Sequence, residues 1–366
     1  MHIYFNTFHH VHEQNNHKSN QIKSNQCPDP HKPNQDCFSI THKFASIGGD
    51  SFFGVYDGHG PVGEHFAKYA KKHLPTLLAK HIQQERVKAH KERNASLPPS
   101  EKKLPFNPTL FPMIESKAYE SASKKAHVEC NQNMIDTQPL HNLSGSTAIS
   151  AGFHNGQMII SNVGDSRAIL GYKEHGDGDG DGNGNGSQKI IAVPLSQDQT
   201  PWRKDERERI IKVGGRVMTI DQMEGKINGN GNGNGNGIDD KDTDRKLGED
   251  DFIDEKGDPP RVWLSDKNVP GTSFTRSLGD SIANKVGVFA EPEFFSKTIT
   301  DEDEILVLAS DGVFEFMQNQ EIIDICAKTD NPVEACACVV DAAYSKWLEY
   351  ENRTDDITAI IMYFRR

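Results

Sequence analysis

The sequence predicts an α+β fold, an αββα four-layer sandwich with two mainly antiparallel sheets flanked by helix pairs. Runs of strand-like segments are followed by runs of helix-like ones, with one helix pair inserted early. The apolar runs at residues 51–56, 305–309 and 357–364 are short and rich in β-branched or aromatic residues, as buried strands are. Each ends or begins on an acid, in Asp57-Gly58-His59-Gly60, Ser310-Asp311-Gly312 and Asp355-Asp356. Acids at the ends of strands in one core can converge, and hard divalent cations need such oxygen clusters. A single Asp-Gly after a strand is most often a turn, so the weight lies on the three together.

In chain order, residues 1–26 are rich in His, Asn and Gln without period and predict a disordered polar tail. Residues 37–40 and 52–56 predict two adjacent strands, with Asp36 and Asp57 at their ends. From residue 62 to about 85, Val62, Phe66, Tyr69, Ala70, Leu74, Leu77 and Leu78 recur at helical spacing on one face. Residues 86–108 read as a charged helical extension or loop, and 109–132 as a second helix. Residues 144–153, 157–163 and 166–172 predict a β-meander, and 190–195 a further strand. A short helix is expected at 205–213, then a turn and helix at 275–280. Strands at 304–309 and 358–364 enclose helices at 318–329 and 332–350, the last opened by Asn331-Pro332.

Two low-complexity insertions interrupt this pattern, at about 176–187 and 226–259. The first resembles the start of a calcium loop at Asp177, Asp179, Asp181 and Gly182, but its twelfth position is Gln188 rather than a bidentate Glu. The second carries ten acids and four bases between 238 and 258. Neither can bury enough apolar surface to order itself. The first insertion and the 238–258 run together hold nine of the twelve excess negative charges, so the core is near neutral and lacks the basic stripe of a nucleic-acid binder. Residues 27–366 are expected to form one catalytic domain.

The six cysteines show no CxxC pair and no zinc spacing, and Cys336 and Cys338 point to different faces of a helix. No apolar run approaches the length of a membrane span, and no signal peptide or N-myristoyl site is expected. A soluble, monomeric protein of the cytoplasm or nucleus follows.

Seven motifs carry a resemblance. Gln35-Asp36, Asp57-Gly58-His59-Gly60, Ser144-Gly145-Ser146-Thr147, Gly164-Asp165-Ser166-Arg167, Arg276-Ser277-Leu278-Gly279-Asp280, Ser310-Asp311-Gly312 and Asp355-Asp356-Ile357-Thr358 occur in that order. The chain thereby resembles the type 2C, metal-dependent (PPM) serine/threonine protein phosphatases over about residues 32–363. The resemblance implies the same αββα sandwich, phosphoprotein substrates and two Mg²⁺ or Mn²⁺ ions, with a third, weaker metal position. It implies that Asp57 bridges the metals, that Gly58 lends its carbonyl oxygen, and that Asp311 and Asp355 hold one metal. Asp36 supports the other, Asp165 matches the third position, and His59 matches the general acid. The alternative is a pseudophosphatase of the same fold, against which intact Asp57, His59, Asp311 and Asp355 argue.

Carboxylates with few histidines suit magnesium or manganese better than zinc, and no Cys-x5-Arg loop supports a cysteine nucleophile. The family often places an arginine five residues before the first acid. Here that position is His31, and Lys32 beside it is the expected phosphate contact because lysine keeps the charge.

Overall fold

The computed structural model describes residues 2–9, 33–46, 50–96, 98, 115–138, 141–154, 156–174, 189–224 and 259–365. β1 (His2–His9) pairs antiparallel with residues 358–365, which corrects the expectation of a wholly disordered tail. Composition averaged over 26 residues hides the Ile3-Tyr4-Phe5 run, and an open sheet edge pairs through main-chain groups whatever the side chains. Residues 10–32 lie outside the described residues, as do the insertions at 175–188 and 225–258.

β2 (Cys37–His42) and β3 (Ser51–Tyr56) form an antiparallel pair, and the two-residue β4 (Gly58–His59) follows Asp57. α1 (Gly63–Ser96) and α2 (Ser116–Thr137) are the early helix pair. α1 buries Phe66, Ala70, Leu74, Leu78 and Ile82, one per turn. It continues past its expected end near Glu85, burying Arg86, which meets Asp50 at 3.7 Å, and His90. Before that end, Lys125 meets Glu85 at 2.5 Å and His81 meets Glu129 at 2.7 Å.

β5 (Gly145–Ser146), β6 (Ala148–His154) and β7 (Gln157–Val163) follow, but β8 (Arg167–Glu174) does not complete a meander with them. β8 crosses to the other sheet, where Arg167 faces Ala309. Gly164 makes the crossing at φ +104°, a backbone conformation that glycine takes without a Cβ clash.

β9 (Lys189–Pro194) pairs with β8, and α3 (Lys204–Lys212) leads to β10 (Arg216–Met218) and α4 (Ile220–Met223). Beyond the second insertion, β11 (Arg261–Trp263) returns to pair with β10, and β12 (Pro270–Thr272) completes a small sheet. β13 (Leu278–Gly279), expected as turn and helix, instead extends β5, and β14 (Glu293–Thr298), which had no sequence signal, pairs with β7.

β15 (Asp303–Ala309), the short α5 (Asp311–Phe314), α6 (Asn319–Cys326), α7 (Pro332–Tyr350) and β16 (Thr358–Arg365) close the described chain. Asn331 caps α7 by accepting the Val333 N–H at 3.0 Å, with Pro332 in the first turn.

One sheet runs β1-β16-β15-β8-β9 and the other β14-β7-β6-β3-β2. Side-chain alternation sends Phe53, Val55, Leu306, Leu308 and Ile360 into the core between the sheets. Phe52 and Tyr56 face the other way, into the core with α1 and α2, while Val307 and Ile361 join α6 and α7. Strands buried on both faces are what an αββα sandwich demands, and they explain the continuous apolar runs in the sequence.

Candidate active site

The predicted acids gather at one rim of the sandwich. Asp36 precedes β2, Asp57 follows β3, Asp165 lies between β7 and β8, Asp311 follows β15 and Asp355 precedes β16. Main-chain and hydroxyl contacts lock the two sheets together there. Ser310 Oγ donates to Asp36 Oδ2 at 2.8 Å, and the Gln35 N–H donates to Asp356 Oδ2 at 2.8 Å. The Asp57 N–H donates to Thr147 Oγ1 at 3.1 Å, and that hydroxyl meets Ser166 Oγ at 2.7 Å. Asp356 thus ties the segment before β2 to the one before β16.

Gly58 has no room for a side chain. A Cβ there would run into the carbonyls of Gly63 and Gln35, so the main chain of the Asp57 turn is packed against the start of α1.

Crowded negative charge dominates the rim. Burial raises the carboxyl of Asp57 well above the ordinary range, and Asp36, Asp311 and Asp355 raise it further. Asp36 is raised by burial and by Asp356, and Asp311 by burial and by Asp355. Asp165 is raised by burial and by Asp311 and Asp198. Arg167 does not neutralise them, being committed to Asp198 at 2.5 and 2.9 Å and to Asn319 at 2.9 Å. Among the described residues, Asp36 Oδ1 and Asp311 Oδ1 are buried without a hydrogen-bond donor. Carboxylates this close, with oxygens left unsatisfied, fit a hard divalent cation.

A second acidic group, Asp205, Glu206 and Glu293, is close enough in space to hold a metal but is already compensated. Glu206 accepts Arg276 at 2.7 Å, Arg209 at 2.5 Å and the Thr275 hydroxyl at 2.6 Å. Arg203 meets Glu293 at 2.7 and 2.9 Å. Burial works against ionisation of Glu206, yet these donors overcome it and hold its pKa down at about 2. The group is an ion-pair network that fastens α3 under the β13–β14 segment.

His59 stands beside the rim with Nε2 2.6 Å from Asp280 Oδ2 and its ring 4.3 Å from that of Phe274. The same Asp280 oxygen accepts the Ser277 hydroxyl at 2.6 Å. Asp280 is 1% exposed and holds φ +44°, an uncommon conformation for a residue with a Cβ. A Cβ at Gly145 would strike both Asp280 Oδ2 and His59 Nε2, which gives the Ser144-Gly145 motif a physical reason. Read alone, Asp280 passes for a helix-end residue, and its role is visible in the sequence only through the Arg276–Asp280 motif. Lys32 and His31 lie outside the described residues.

The αββα sandwich carries a rim of buried and partly buried carboxylates between its sheets, with a histidine at the edge. The family model described as "Protein phosphatase 2C" matches residues 20–349, and the chain belongs to that family. A relative from Arabidopsis thaliana, "Probable protein phosphatase 2C 35", is 35% identical over 92% of this chain and 80% of its own length. "Probable protein phosphatase 2C 73" of Oryza sativa subsp. japonica is 25% identical over 91% and 70%. Among solved structures, a serine-threonine phosphatase 2C from Toxoplasma gondii superposes with a TM-score of 0.62 at 17% identity, covering 91% of each chain, and supports the fold. Among the described residues no helix is long and apolar enough to cross a membrane.

Proposed function

We propose that this protein phosphatase hydrolyses phosphoserine and phosphothreonine in proteins, using two Mg²⁺ or Mn²⁺ ions. The observation that carries the reading is the convergence of carboxylates from both sheets, with buried oxygens on Asp36 and Asp311 that no group among the described residues satisfies. Asp57 and the Gly58 carbonyl would serve both ions, Asp311 and Asp355 one of them, Asp36 the other, and Asp165 a third, weaker position. When bound, such a pair supplies a water ionised near neutral pH and a positive clamp on the phosphoryl oxygens.

The chain's own groups do the rest. With His59 Nε2 held by Asp280, Nδ1 is the nitrogen left to give a proton to the departing serine or threonine oxygen. Asp280 keeps the imidazole oriented. Lys32 is proposed to contact the substrate phosphate as a point cation. The direct test is phosphate release from a phosphothreonine peptide with Mg²⁺, Mn²⁺ or excess chelator. Turnover that survives chelation overturns the reading, and metal-dependent binding without turnover assigns the chain to the pseudophosphatases.

A further inference from the structure

The segment from Phe274 to Asp280 meets His59 at both of its ends. The Phe274 and His59 ring centroids are 4.3 Å apart, and Asp280 Oδ2 holds Nε2 at 2.6 Å. Between them stand Thr275 and Arg276, whose side chains both reach a single carboxylate on α3, that of Glu206. Glu206 Oε2 accepts the Thr275 hydroxyl at 2.6 Å and Arg276 Nε at 3.1 Å, while Oε1 accepts Arg276 Nη2 at 2.7 Å. The guanidinium is therefore gripped by both oxygens, which fixes its plane as well as its place. Arg209 completes the set by donating to Glu206 Oε2 at 2.5 Å and to the Thr275 carbonyl at 3.0 Å.

The same helix holds the apolar end. Ile210 follows Glu206 by four residues, on the same face of α3, and is buried in the cluster that also buries Phe274. From Arg276 the path to the imidazole is short, because the next residue, Ser277, donates its hydroxyl to the Asp280 oxygen that holds His59. A tie to the acidic rim leaves the segment as well. The Thr275 N–H donates to the Gln199 carbonyl at 2.7 Å, and Gln199 Oε1 accepts the Gly164 N–H at 2.7 Å, next to Asp165. Glu206 is 2% exposed, and a buried ion pair is often no more stabilising than an apolar contact of the same volume. What it does supply is a fixed geometry. We propose that Glu206 is a positioning residue: by fixing Thr275 and Arg276 it sets the place of Asp280, and through Asp280 the orientation and tautomer of His59. The kinetic consequence rests on the proposed general-acid role of His59, whereas the tautomer does not.

The test uses the full chain as wild type, Glu206→Gln, Asp280→Asn and these two changes combined, with Thr275→Val as a milder variant that removes one donor and keeps the carboxylate. On phosphothreonine peptides Glu206→Gln is expected to lower kcat by about tenfold and Thr275→Val by about threefold, with KM and the metal-induced rise in Tm unchanged. On p-nitrophenyl phosphate, whose leaving group needs no proton, both losses should stay below about twofold. Because Glu206 acts through Asp280, the combined variant should be no slower than Asp280→Asn alone. Nitrogen–proton correlation NMR of the histidine rings at alkaline pH gives the second readout, with the His59 signals assigned from their loss in His59→Gln. Wild type should show the Nε2–H tautomer that a carboxylate acceptor selects, and Glu206→Gln and Thr275→Val a mixture of the two tautomers.

A His59 tautomer that is the same in every variant overturns the proposal. So do equal kcat losses on the two substrates together with a combined variant slower than Asp280→Asn by the full Glu206→Gln factor, which is the behaviour of a group that only holds the fold. If Glu206→Gln does not fold, Thr275→Val carries both readouts. A wild-type chain without turnover sinks the phosphatase reading, and the tautomer then decides the role of Glu206 alone.

Discussion

His59 Nε2 and Asp280 Oδ2 lie 2.6 Å apart although 221 residues separate them, and the carboxylate is buried while the imidazole is 22% exposed. A buried acid behind a partly exposed base holds the ring in one orientation. Asp280→Asn is therefore expected to lower kcat by about 10- to 100-fold on phosphothreonine peptides, with KM and metal requirement nearly unchanged. On p-nitrophenyl phosphate, whose phenolate leaves without protonation, the loss should be much smaller. Equal losses on the two substrates would show that Asp280 is merely structural.

The acidic rim makes a paired prediction about activity and stability. Asp57→Asn and Asp311→Asn should each abolish metal-dependent phosphate release, because each removes a charge from the cation cluster. In chelator, however, Asp311→Asn should unfold no lower than wild type, since it relieves repulsion that already lifts the Asp311 carboxyl. Added Mg²⁺ or Mn²⁺ should raise the wild-type Tm, by linkage worth about 2.7 kcal/mol at a hundredfold excess over Kd, and leave the variant unmoved. A variant that retains the full metal-induced shift would exclude Asp311 as a ligand.

Much of this site is legible in the sequence because each acid sits next to an apolar run whose period marks a strand. Asp57, Asp311 and Asp355 could be placed at strand ends from pattern alone. β14 was not legible because Phe294-Phe295-Ser296-Lys297 lacks a clean alternation, and it becomes a strand through its pairing with β7. The crossing of β8 to the second sheet was missed for a similar reason, since a turn at Gly164-Asp165 fits a hairpin and a crossover equally well until Arg167 is seen opposite Ala309. Asp280 needs tertiary structure to acquire a role, because its partner lies in another segment.

A buried histidine supplies a pH prediction away from the site. His127 is fully buried in α2, its Nδ1–H donates to the Ser123 carbonyl at 2.8 Å, and among the described residues its Nε2 has no partner. Burial lowers its pKa from 6.5 to about 4, with the Ser123 contact opposing. Between these values the unfolded chain takes up a proton that the native state refuses, so stability falls as pH drops from 6.5 toward 4. The loss approaches roughly 3 kcal/mol at the lower end. The stability difference between wild type and His127→Gln, measured by urea unfolding, should move against wild type over this window and level off below it. A difference independent of pH would contradict the assignment.

The second insertion is expected to be dispensable for folding. β10 and β11 pair across it, Arg216 opposite Trp263, and Trp263 Nε1 donates to the Met218 carbonyl at 2.9 Å. Those contacts close the loop whatever its contents, and each doubling of a flexible loop costs only about 0.6 kcal/mol. Replacing residues 226–258 with a short Gly-Ser linker should therefore leave the Tm within a few degrees of wild type. A collapse in Tm would mean that the insertion contributes burial its composition does not suggest.

The substrate anchor is the part of the site that departs most from the family pattern. Where an arginine is common the chain has His31, followed by Lys32. A neutral imidazole cannot replace a bidentate guanidinium, whereas an ammonium keeps the charge and can make one charge-assisted contact to a phosphoryl oxygen. Among the described residues the rim's own arginine, Arg167, is engaged by Asp198, so the cation has to come from elsewhere in the chain. Lys32→Ala is expected to raise KM for phosphopeptides by several-fold to tens-fold, consistent with losing a contact worth roughly 1–2 kcal/mol, while the metal dependence stays intact. Lys32→Arg should recover most of that loss, since charge rather than shape is what the position supplies. An unchanged KM in Lys32→Ala, with the defect appearing in His31→Ala instead, would transfer the role to the histidine and predict binding that strengthens as pH falls below about 6.5.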